Sequence, residues 1–485
     1  MTDRHPTRSP SGSRPSPHPE PSASLHPRYD DGLGDRLALS ATARRGVHTR
    51  TDGIPTQLAE RARHGGFGVD RIPLESLAGW SFAPHTGNLA HHSGRFFSVE
   101  GMRADVEDDA LHSWQQPIIR QPEVGILGLL AKELDGVLHF LMQAKMEPGN
   151  PGLVQLSPTV QATRSNYTKV HRGAGVPYIE YFTGPQAAHR RVIADVLQSE
   201  QGSWFFHKSN RNIVVETHAE VPLHGGFLWL TLGQLNELLH HDNVISMDSR
   251  SVLACLPFDD GDTVALHADT ALLSWITEQR SRHRVHSELM PLASISGWTR
   301  DKWSITHRED RYFQVVGVSV QAGNREVPQW SQPLLAPVGT GVAAFLIRRF
   351  DGVVHVLARA GAEGGLLGTV ELGPTVQCTP GNYAHLPPEQ QPLFLDTVLS
   401  AATADIRYEA VLSEEGGRFL HACSRYLIIE GDTETAPAIP PEGFAWVSAG
   451  QLTFLARHSH YLNVQARSLL ACLRASALAK NARSA

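Results

Sequence analysis

The chain has 485 residues, 41% of them hydrophobic and 19% charged, and a net charge of −6 at pH 7. This length corresponds to about three domains at roughly 150 residues each, in an ordinary globular composition. Without a basic surplus or a long apolar run, a general nucleic-acid binder and a membrane-spanning protein are both disfavoured.

The first 68 residues differ in composition from the rest of the chain. Residues 1–27 are dominated by Pro, Ser, His and Arg, and they lack the apolar stretch of a secretory signal. Residues 28–68 are rich in Arg and Gly. We interpret 1–68 as a disordered extension and expect a cytoplasmic location, with a targeting peptide as the alternative.

Most of the remaining chain consists of two copies of one unit. Trp80, Asn166-Tyr167 and Cys255 stand in short motifs that recur about 217 residues later, at Trp298, Asn382-Tyr383 and Cys472. A period this long indicates duplicated domains rather than a solenoid. We predict repeats over 69–258 and 288–475, joined by a linker over 259–287.

Each repeat is predicted to mix helices and strands. Asp135-Gly136 joins two apolar runs, as Asp351-Gly352 does in the second repeat, and an Asp-Gly step between strands is typical of a hairpin. Thr231 with Gln234, and Ser448 with Gln451, have the spacing of a capping box at the start of a helix. Further predictions are helices over 185–198 and 392–411 and strands over 212–216 and 426–430.

The familiar catalytic and metal-binding motifs are missing from the sequence. There is no His-Glu-x-x-His, no Gly-x-Gly-x-x-Gly after a strand, no Walker A motif and no Gly-x-Ser-x-Gly elbow. The four cysteines are far apart and form no Cys-x-x-Cys pair. The adjacent histidines at 91–92 and 240–241 do not share a helix face. We therefore expect no metal site.

Two polar loops of the first repeat are the best candidates for chemistry. Residues 143–150 and 161–167 place Lys145, Glu147, Arg164 and several hydroxyl groups after predicted strands. Functional groups often occupy loops on a rigid sheet. The alternative is a hydrogen-bonded loop pair with solvated charges.

Several of these segments also carry a family resemblance. Residues 114–119 (Trp-Gln-Gln-Pro-Ile-Ile) and 154–167 (Val-Gln-Leu-Ser-Pro-Thr-Val-Gln-Ala-Thr-Arg-Ser-Asn-Tyr) resemble the NDP-hexose 2,3-dehydratases. Segments 125–128, 140–150, 200–205 and 243–250 match the same pattern. The resemblance covers about 70–475.

The resemblance implies an α+β fold of two tandem Nudix-like domains, each a mixed sheet between helices, in a cytoplasmic homodimer. It implies a lyase of deoxysugar and antibiotic biosynthesis that acts on dTDP-4-keto-6-deoxyglucose. Loss of water across C2 and C3 gives a 3,4-diketo-2,6-dideoxy sugar, which a following 3-ketoreductase consumes. Neither a cofactor nor a metal is implied.

The Nudix part can be tested against the residues. A Nudix box has the pattern Arg-Glu-x-x-Glu-Glu-x-Gly on a helix, and its carboxylates hold Mg²⁺. The candidate stretches, 195–202 and 409–416, keep only the second carboxylate of the Glu-Glu pair in register. They therefore predict Nudix-like scaffolds without the hydrolase site.

The reaction needs a base, an acid and donors to an oxyanion, and Lys145, Glu147 and Tyr167 are groups of suitable type. Trp80 and Trp298 suit stacking on thymine, or simply core packing. Arg164, Arg311 and Arg467 suit phosphate, or are ordinary surface charges. The other candidate substrate-binding residues are Thr163, Ser165, Asn166, Ser249, Gln377, Asn382 and Tyr383.

The two repeats are not equivalent in these loops. Lys145 and Arg164 of the first repeat are replaced by Gly361 and Pro380 in the second. We expect the first-repeat loops to carry the chemistry and the second repeat to bind nucleotide or support a dimer. A Nudix-type pyrophosphohydrolase and a non-catalytic nucleotide-binding repeat protein are the alternatives.

Overall fold

A computed structural model describes residues 32–106, 113–163, 175–184, 190–322, 329–368 and 370–481. Helices and strands alternate along both repeats, as expected for a mixed fold. Within these residues no helix is long and apolar enough to span a bilayer. The helices are α1 (Leu33–Thr42), α2 (Ile54–His64), α3 (Leu232–Leu238), α4 (Met247–Ala254), α5 (Asp269–Arg282), α6 (Leu395–Leu399), α7 (Ala449–Ala456) and α8 (Val464–Asn481).

The first half of the chain contributes thirteen of the described strands. They are β1 (Phe67–Ile72), β2 (Trp80–Phe82), β3 (Leu89–His91), β4 (Ser98–Val106), β5 (Ser113–Arg120), β6 (Gly125–Leu134), β7 (Val137–Met146), β8 (Val154–Ser157), β9 (Val160–Ala162), β10 (Arg191–Ser199), β11 (Phe205–Phe206), β12 (Ser209–Glu216) and β13 (Phe227–Thr231).

The second half follows a closely similar order. Its described strands are β14 (Val285–Met290), β15 (Trp298–Arg300), β16 (Ser304–His307), β17 (Phe313–Ala322), β18 (Gln329–Pro337), β19 (Gly341–Phe350), β20 (Val353–Ala362), β21 (Val370–Gly373), β22 (Val376–Cys378), β23 (Ile406–Ser413), β24 (Cys423–Glu430) and β25 (Phe444–Ser448).

Each repeat is centred on a seven-stranded mixed sheet. The first has the order β10-β12-β6-β7-β13, with β8 paired to β7 and β9 to β6. The second repeats it as β23-β24-β19-β20-β25, with β21 paired to β20 and β22 to β19. In both, a parallel pair (β6 with β12, β19 with β24) lies among antiparallel neighbours. The same topology in both halves confirms the two mixed repeats.

Two further sheets exchange strands between the halves. Strand β1 pairs with β17 of the second half, from Phe67 opposite Ala322 to Ile72 opposite Gly317. In return β14 pairs with β4 of the first half, where Met290 lies opposite Gly101. Each half thus completes a sheet of the other.

Two buried arginines join the repeats at the centre. Arg250 in α4 donates to the carbonyl oxygen of Ser413, at the end of β23, and to Ser468 Oγ in α8. Arg467 in α8 reciprocates, donating to the carbonyl oxygen of Ser199, at the end of β10, and to Ser251 Oγ in α4. Both side chains are almost completely buried. The repeats are therefore locked by matching charged hydrogen bonds.

The local predictions of turns and caps are confirmed. Asp135 and Asp351 adopt φ of 48° and 47°, and each is followed by a glycine at positive φ in a tight hairpin. Thr231 and Ser448 each accept from the backbone N–H three residues on, and Gln234 and Gln451 complete the capping boxes. The predicted strands over 212–216 and 426–430 lie within β12 and β24.

The two predicted helices at 185–198 and 392–411 are wrong over most of their length. Residues 185–189 lie outside the described residues, and 191–199 form strand β10, paired along its length with β12. In the second repeat only α6 is helical, and 406–413 form β23. Both Nudix-box candidates therefore begin in strands and end in turns, so they provide no carboxylate-bearing helix.

Much of the predicted extension and linker is ordered. Helices α1 and α2 pack against the first-repeat core through the apolar side chains of Leu37, Ile54 and Leu58. Helix α5 does the same in the second repeat through Leu272 and Ile276. The Arg-rich composition hides these apolar faces, so the predicted disorder is wrong for residues 33–64. Residues 1–31 lie outside the described residues.

We expect Arg467→Ala to lower the free energy of unfolding by about 3 kcal/mol or more. The carbonyl oxygens of Ser199 and Leu462 and the hydroxyl of Ser251 lose their donor, and an unsatisfied buried polar group costs about 1–3 kcal/mol. Denaturant unfolding measures the change.

The matched control is Arg425→Ala, which breaks the exposed ion pair with Glu409. Such a pair contributes about 0–1 kcal/mol, so this variant should unfold nearly as the parent does. Equal losses for the two variants would contradict the central role of Arg467.

Candidate active site

A cavity of about 540 Å³ opens in the second repeat, a volume typical of ligand sites. First-repeat residues Trp114, Gln116 and Ser203 form one wall, and the end of β22 and the turn after it form another. We call it the second-repeat cavity. Of the predicted binding residues it is lined by Trp298, Gln377, Asn382 and Tyr383.

Hydrogen bonds between the repeats and within the second repeat fix the walls of this cavity. Trp298 Nε1 donates to the carbonyl oxygen of Gln115 at 2.8 Å, and Asn382 Oδ1 accepts from the backbone N–H of Tyr312 at 3.1 Å. Arg311 lies next to Tyr312, where it pairs with Glu309 at 3.0 Å. The cavity combines aromatic faces, amides and a nearby cation.

Lys145 and Glu147 meet at the end of β7. Lys145 Nζ lies 2.7 Å from Glu147 Oε1, and the two side chains are only 16% and 13% exposed. The ammonium also lies 3.5 Å from the carbonyl oxygen of Gln161, in β9. The structure thus brings together two of the three predicted catalytic residues.

The remaining first-repeat candidates provide less information. Thr163 ends the described stretch just after β9. The predicted site residues Arg164, Ser165, Asn166 and Tyr167 lie outside the described residues, so their roles stay predictions.

A turn of the second repeat reaches the Lys145–Glu147 pair. The backbone N–H of Gly149 donates to the carbonyl oxygen of Gly416 at 2.8 Å, which fastens the two loops together. A methyl group on Gly417 would lie 2.6 Å from Glu415 Oε1 and 3.3 Å from Glu147 Oε2. The two carboxylates therefore flank this glycine, whose lack of a side chain makes room for them.

Two further acids complete what we call the first-repeat site: Lys145, Glu147, Asp248 and Glu415. Asp248 lies in the first turn of α4 and is 4% exposed. Burial raises its pKa, and the nearby carboxylates of Glu200 and Glu415 raise it further. Burial also raises the pKa of Glu415 to about 7, against the opposing effect of Arg418.

Asp248 and Glu415 were not singled out in the sequence. Asp248 lies in the matched segment 243–250 and Glu415 in the Nudix-box candidate 409–416, but neither pattern gave them a role. Glu415 also lies more than 250 residues from Lys145 in the chain. A position-by-position comparison of the repeats could have found both residues, because Gln465 and Gln201 replace these acids in the other copy.

The equivalent carboxylate of the second repeat, Glu363, has a different environment. Its Oε2 accepts from the backbone N–H and the hydroxyl of Ser203 at 2.9 and 3.1 Å. Its Oε1 accepts from Gln377 and Asn463 at 3.3 and 3.2 Å. Position 361 is glycine, so no ammonium stands where Lys145 does. Glu363 therefore fastens the turn of the first repeat.

Three predicted binding residues have structural contacts instead. The buried guanidinium of Arg467 donates its hydrogen bonds to protein oxygens at the contact between the repeats, so phosphate cannot reach it. Ser249 is buried and donates to the carbonyl oxygen of Leu156 at 2.9 Å. Trp80 packs in a core and donates to the carbonyl oxygen of Ser331 at 3.0 Å. Trp80 thus agrees with the core-packing alternative, whereas the buried Arg467 is not the ordinary surface charge given as its alternative.

Comparison with known proteins agrees with this doubled architecture. The family model of the NDP-hexose 2,3-dehydratases matches the chain twice, over residues 51–256 and 269–473. The chain belongs to the NDP-hexose 2,3-dehydratase family. Both family matches include the helices that precede the predicted repeats, α2 in the first and α5 in the second.

Relatives within the family match along nearly their whole length. A protein of Amycolatopsis orientalis is 57% identical over 93% of this chain and 96% of its own length. Proteins of Saccharopolyspora spinosa and Streptomyces violaceoruber are 48% and 49% identical over 86% and 88% of this chain, and over 90% and 97% of their own lengths. All three are named dTDP-4-dehydro-6-deoxy-alpha-D-glucopyranose 2,3-dehydratase.

The raised pKa of Glu415 gives a pH dependence of stability. An unfolded glutamate releases its proton near pH 4.5, whereas the folded chain holds it to about 7. The folded state therefore loses stability as the pH rises through this interval. Relative to Glu415→Gln, the parent should lose about 1–3 kcal/mol of unfolding free energy between pH 5 and 8. Denaturant unfolding at several pH values measures it, and parallel curves would contradict the assignment.

Proposed function

We propose that this chain removes water across C2 and C3 of dTDP-4-keto-6-deoxyglucose, giving a 3,4-diketo-2,6-dideoxy sugar nucleotide for deoxysugar biosynthesis. The observation that carries the proposal is the identity of up to 57%, over 93% of the chain, to relatives named for this reaction. The Lys145–Glu147 pair supplies groups that the chemistry needs.

The substrate itself determines what the protein must provide. The C4 ketone acidifies the hydrogen on C3, and its removal leaves an enolate with negative charge on the C4 oxygen. The enolate then expels the C2 hydroxyl, which takes up a proton and leaves as water. The resulting enol rearranges to the diketone, so the sum of the steps is loss of water without any change in oxidation state.

Lys145 and Glu147 suit the first of these steps. A carboxylate held against an ammonium remains available to accept a proton, and the ammonium can stabilise charge that develops on oxygen. The pair is mostly buried, where such interactions are stronger than in water. We assign to the pair, acting together, removal of the C3 proton and stabilisation of the C4 oxyanion.

We expect Lys145→Ala and Glu147→Gln each to lower turnover by about 100-fold or more, the size of a typical acid–base contribution. NMR of the sugar after incubation with the 4-keto sugar nucleotide measures turnover and separates dehydration from phosphate release by a hydrolase. Glu409→Gln, which breaks an exposed ion pair of similar length with Arg425, is the control and should keep full activity. Full activity in both site variants would disprove the assignment.

The second-repeat cavity has a different role in this proposal. It keeps aromatic and amide groups, but Gly361, Gln465 and Gln201 stand where the first-repeat site has Lys145, Asp248 and Glu415. Because the first repeat carries the chemistry, this cavity binds nucleotide without turning it over.

Calorimetric titration with dTDP should therefore show two binding events per chain. Tyr383 lines the second-repeat cavity, so Tyr383→Ala should weaken one event, since stacking on an aromatic ring contributes about 1–3 kcal/mol per base. The other event should remain. A single binding event in the parent protein would contradict this role.

The proposal includes the wider setting that the resemblance implies. The chain forms a homodimer of Nudix-like repeats in the cytoplasm, and a 3-ketoreductase consumes its diketo product. Light scattering tests the dimer. Adding a 3-ketoreductase with its reductant tests the coupling, because the diketo sugar should then be replaced by its reduced form.

A further inference from the structure

Asp248 in α4 carries a buried carboxyl group. Its side chain is 4% exposed, and no hydrogen bond reaches its carboxyl group from the part of the chain that the structure describes. The neighbouring Ser249 and Arg250 are both held by the protein: Ser249 by a carbonyl oxygen and Arg250 by the opposite repeat. The backbone at Asp248 is therefore fixed by its neighbours, while the described part of the chain does not hold its carboxyl group.

The second repeat shows where this position lies. Asp248 is the second residue of α4, and Gln465 is the second residue of the equivalent helix α8. Gln465 lines the second-repeat cavity, and its Oε1 is buried without a partner among the described residues. The shared topology of the repeats places Asp248 on the wall of the corresponding first-repeat site. The carboxyl group of Asp248 can transfer a proton at this position, whereas the amide of Gln465 cannot do so in the second repeat.

We propose that Asp248 is the general acid of the dehydration, the group that protonates the C2 hydroxyl as it leaves. The inference rests on the proposed function and names a catalytic residue for it. The proton passes from the Asp248 carboxyl group to the C2 oxygen, the C2–O bond breaks with its electron pair on that oxygen, and water departs. The proton taken from C3 by the Lys145–Glu147 pair equals in number the one that Asp248 gives up, and transfer of a proton from the pair to Asp248 then restores the starting state.

The surroundings keep Asp248 in the form that this step needs. Burial raises its pKa, the acidic neighbours Glu200, Glu415 and Glu147 act in the same direction, and Lys145 opposes them. Burial and these neighbouring carboxylates therefore favour the protonated carboxyl group that the step requires. Because a protonated aspartic acid carries no charge, Asp248→Asn preserves shape and charge and removes only the acid.

The test is Asp248→Asn with the 4-keto sugar nucleotide in D₂O, followed by NMR. Elimination should fall by about 100-fold or more, while removal of the C3 proton continues. Enolate that cannot expel the hydroxyl returns to substrate, so the recovered substrate should carry deuterium at C3. Lys145→Ala and Glu147→Gln should instead slow product formation and deuterium uptake together, by about 100-fold or more. A merely structural role for Asp248 would not separate exchange from elimination in this way.

A substrate analogue with fluorine at C2 gives a second measurement. Fluoride needs less help from an acid than hydroxide does, so the deficit of Asp248→Asn should shrink to below about 10-fold, whereas the Glu147→Gln deficit should persist. Asp195→Asn, at an exposed pair with Arg211, is the matched control and should behave as the parent on both substrates. Thermal unfolding close to that of the parent shows that Asp248→Asn is folded.

Three outcomes would overturn the inference: undiminished elimination by Asp248→Asn, loss of elimination without deuterium at C3, or an equal deficit with the fluoro analogue. Failure of the proposed function is a different result. In that case the unsubstituted protein neither dehydrates the sugar nucleotide nor exchanges its C3 hydrogen.

Discussion

The reciprocal burial of Arg250 and Arg467 is the constraint on which the rest of the structure depends. Removing a guanidinium from water costs several kcal/mol unless its N–H groups find acceptors. Here the acceptors include the last carbonyl groups of β23 and β10, each in the opposite repeat. Neither helix can be buried favourably until the other repeat's strand is in place. Folding of one half is thereby tied to folding of the other, and the exchanged strands β1 and β14 strengthen the tie.

The hydrogen bonds of Arg250 and Arg467 also determine which residues of the opposite repeat reach each site. The turns that follow Ser199 and Ser413 begin at the carbonyl groups that the arginines hold, so each turn is fixed against the opposite repeat. Glu415 thus faces Glu147 of the first repeat, and Gln201 lines the cavity of the second. Each site contains groups from both copies of the duplicated unit. A substitution in either of these turns therefore alters the site of the opposite repeat.

Features set by near neighbours in the chain could be predicted from the sequence. The Asp135-Gly136 hairpin and the Thr231 capping box depend on residues at most three positions apart, and both formed as expected. Features set by distant contacts could not. Strand β10 lies in a segment predicted to be helical and forms a strand because it pairs with β12. Helices α1 and α2 are stabilised by a core that the Arg-rich segment does not reveal.

The site shows the same division. Lys145 and Glu147 could be predicted because both stand at the end of one strand, where polar groups after an apolar run are conspicuous. Asp248 and Glu415 are ordinary acids in the sequence, and only the contacts between the repeats bring them to that strand end. Their replacement by Gln465 and Gln201 in the other copy was visible in the sequence, but its meaning depends on the topology.

The two repeats allow the energetic cost of a buried ionisable group to be compared at equivalent positions of the same fold. A buried carboxyl group without donors destabilises a fold, so a site that performs no proton transfer gains stability by exchanging it for a neutral side chain. The second repeat has the neutral Gln465 at this position, and one of its buried acids, Glu363, accepts from four donors. The first repeat retains Asp248 without a donor from the described chain, in the same fold and at the same helix position. Since the strand order is the same in both copies, the difference lies in the side chains, and the proposed need for a proton donor in the first site accounts for it.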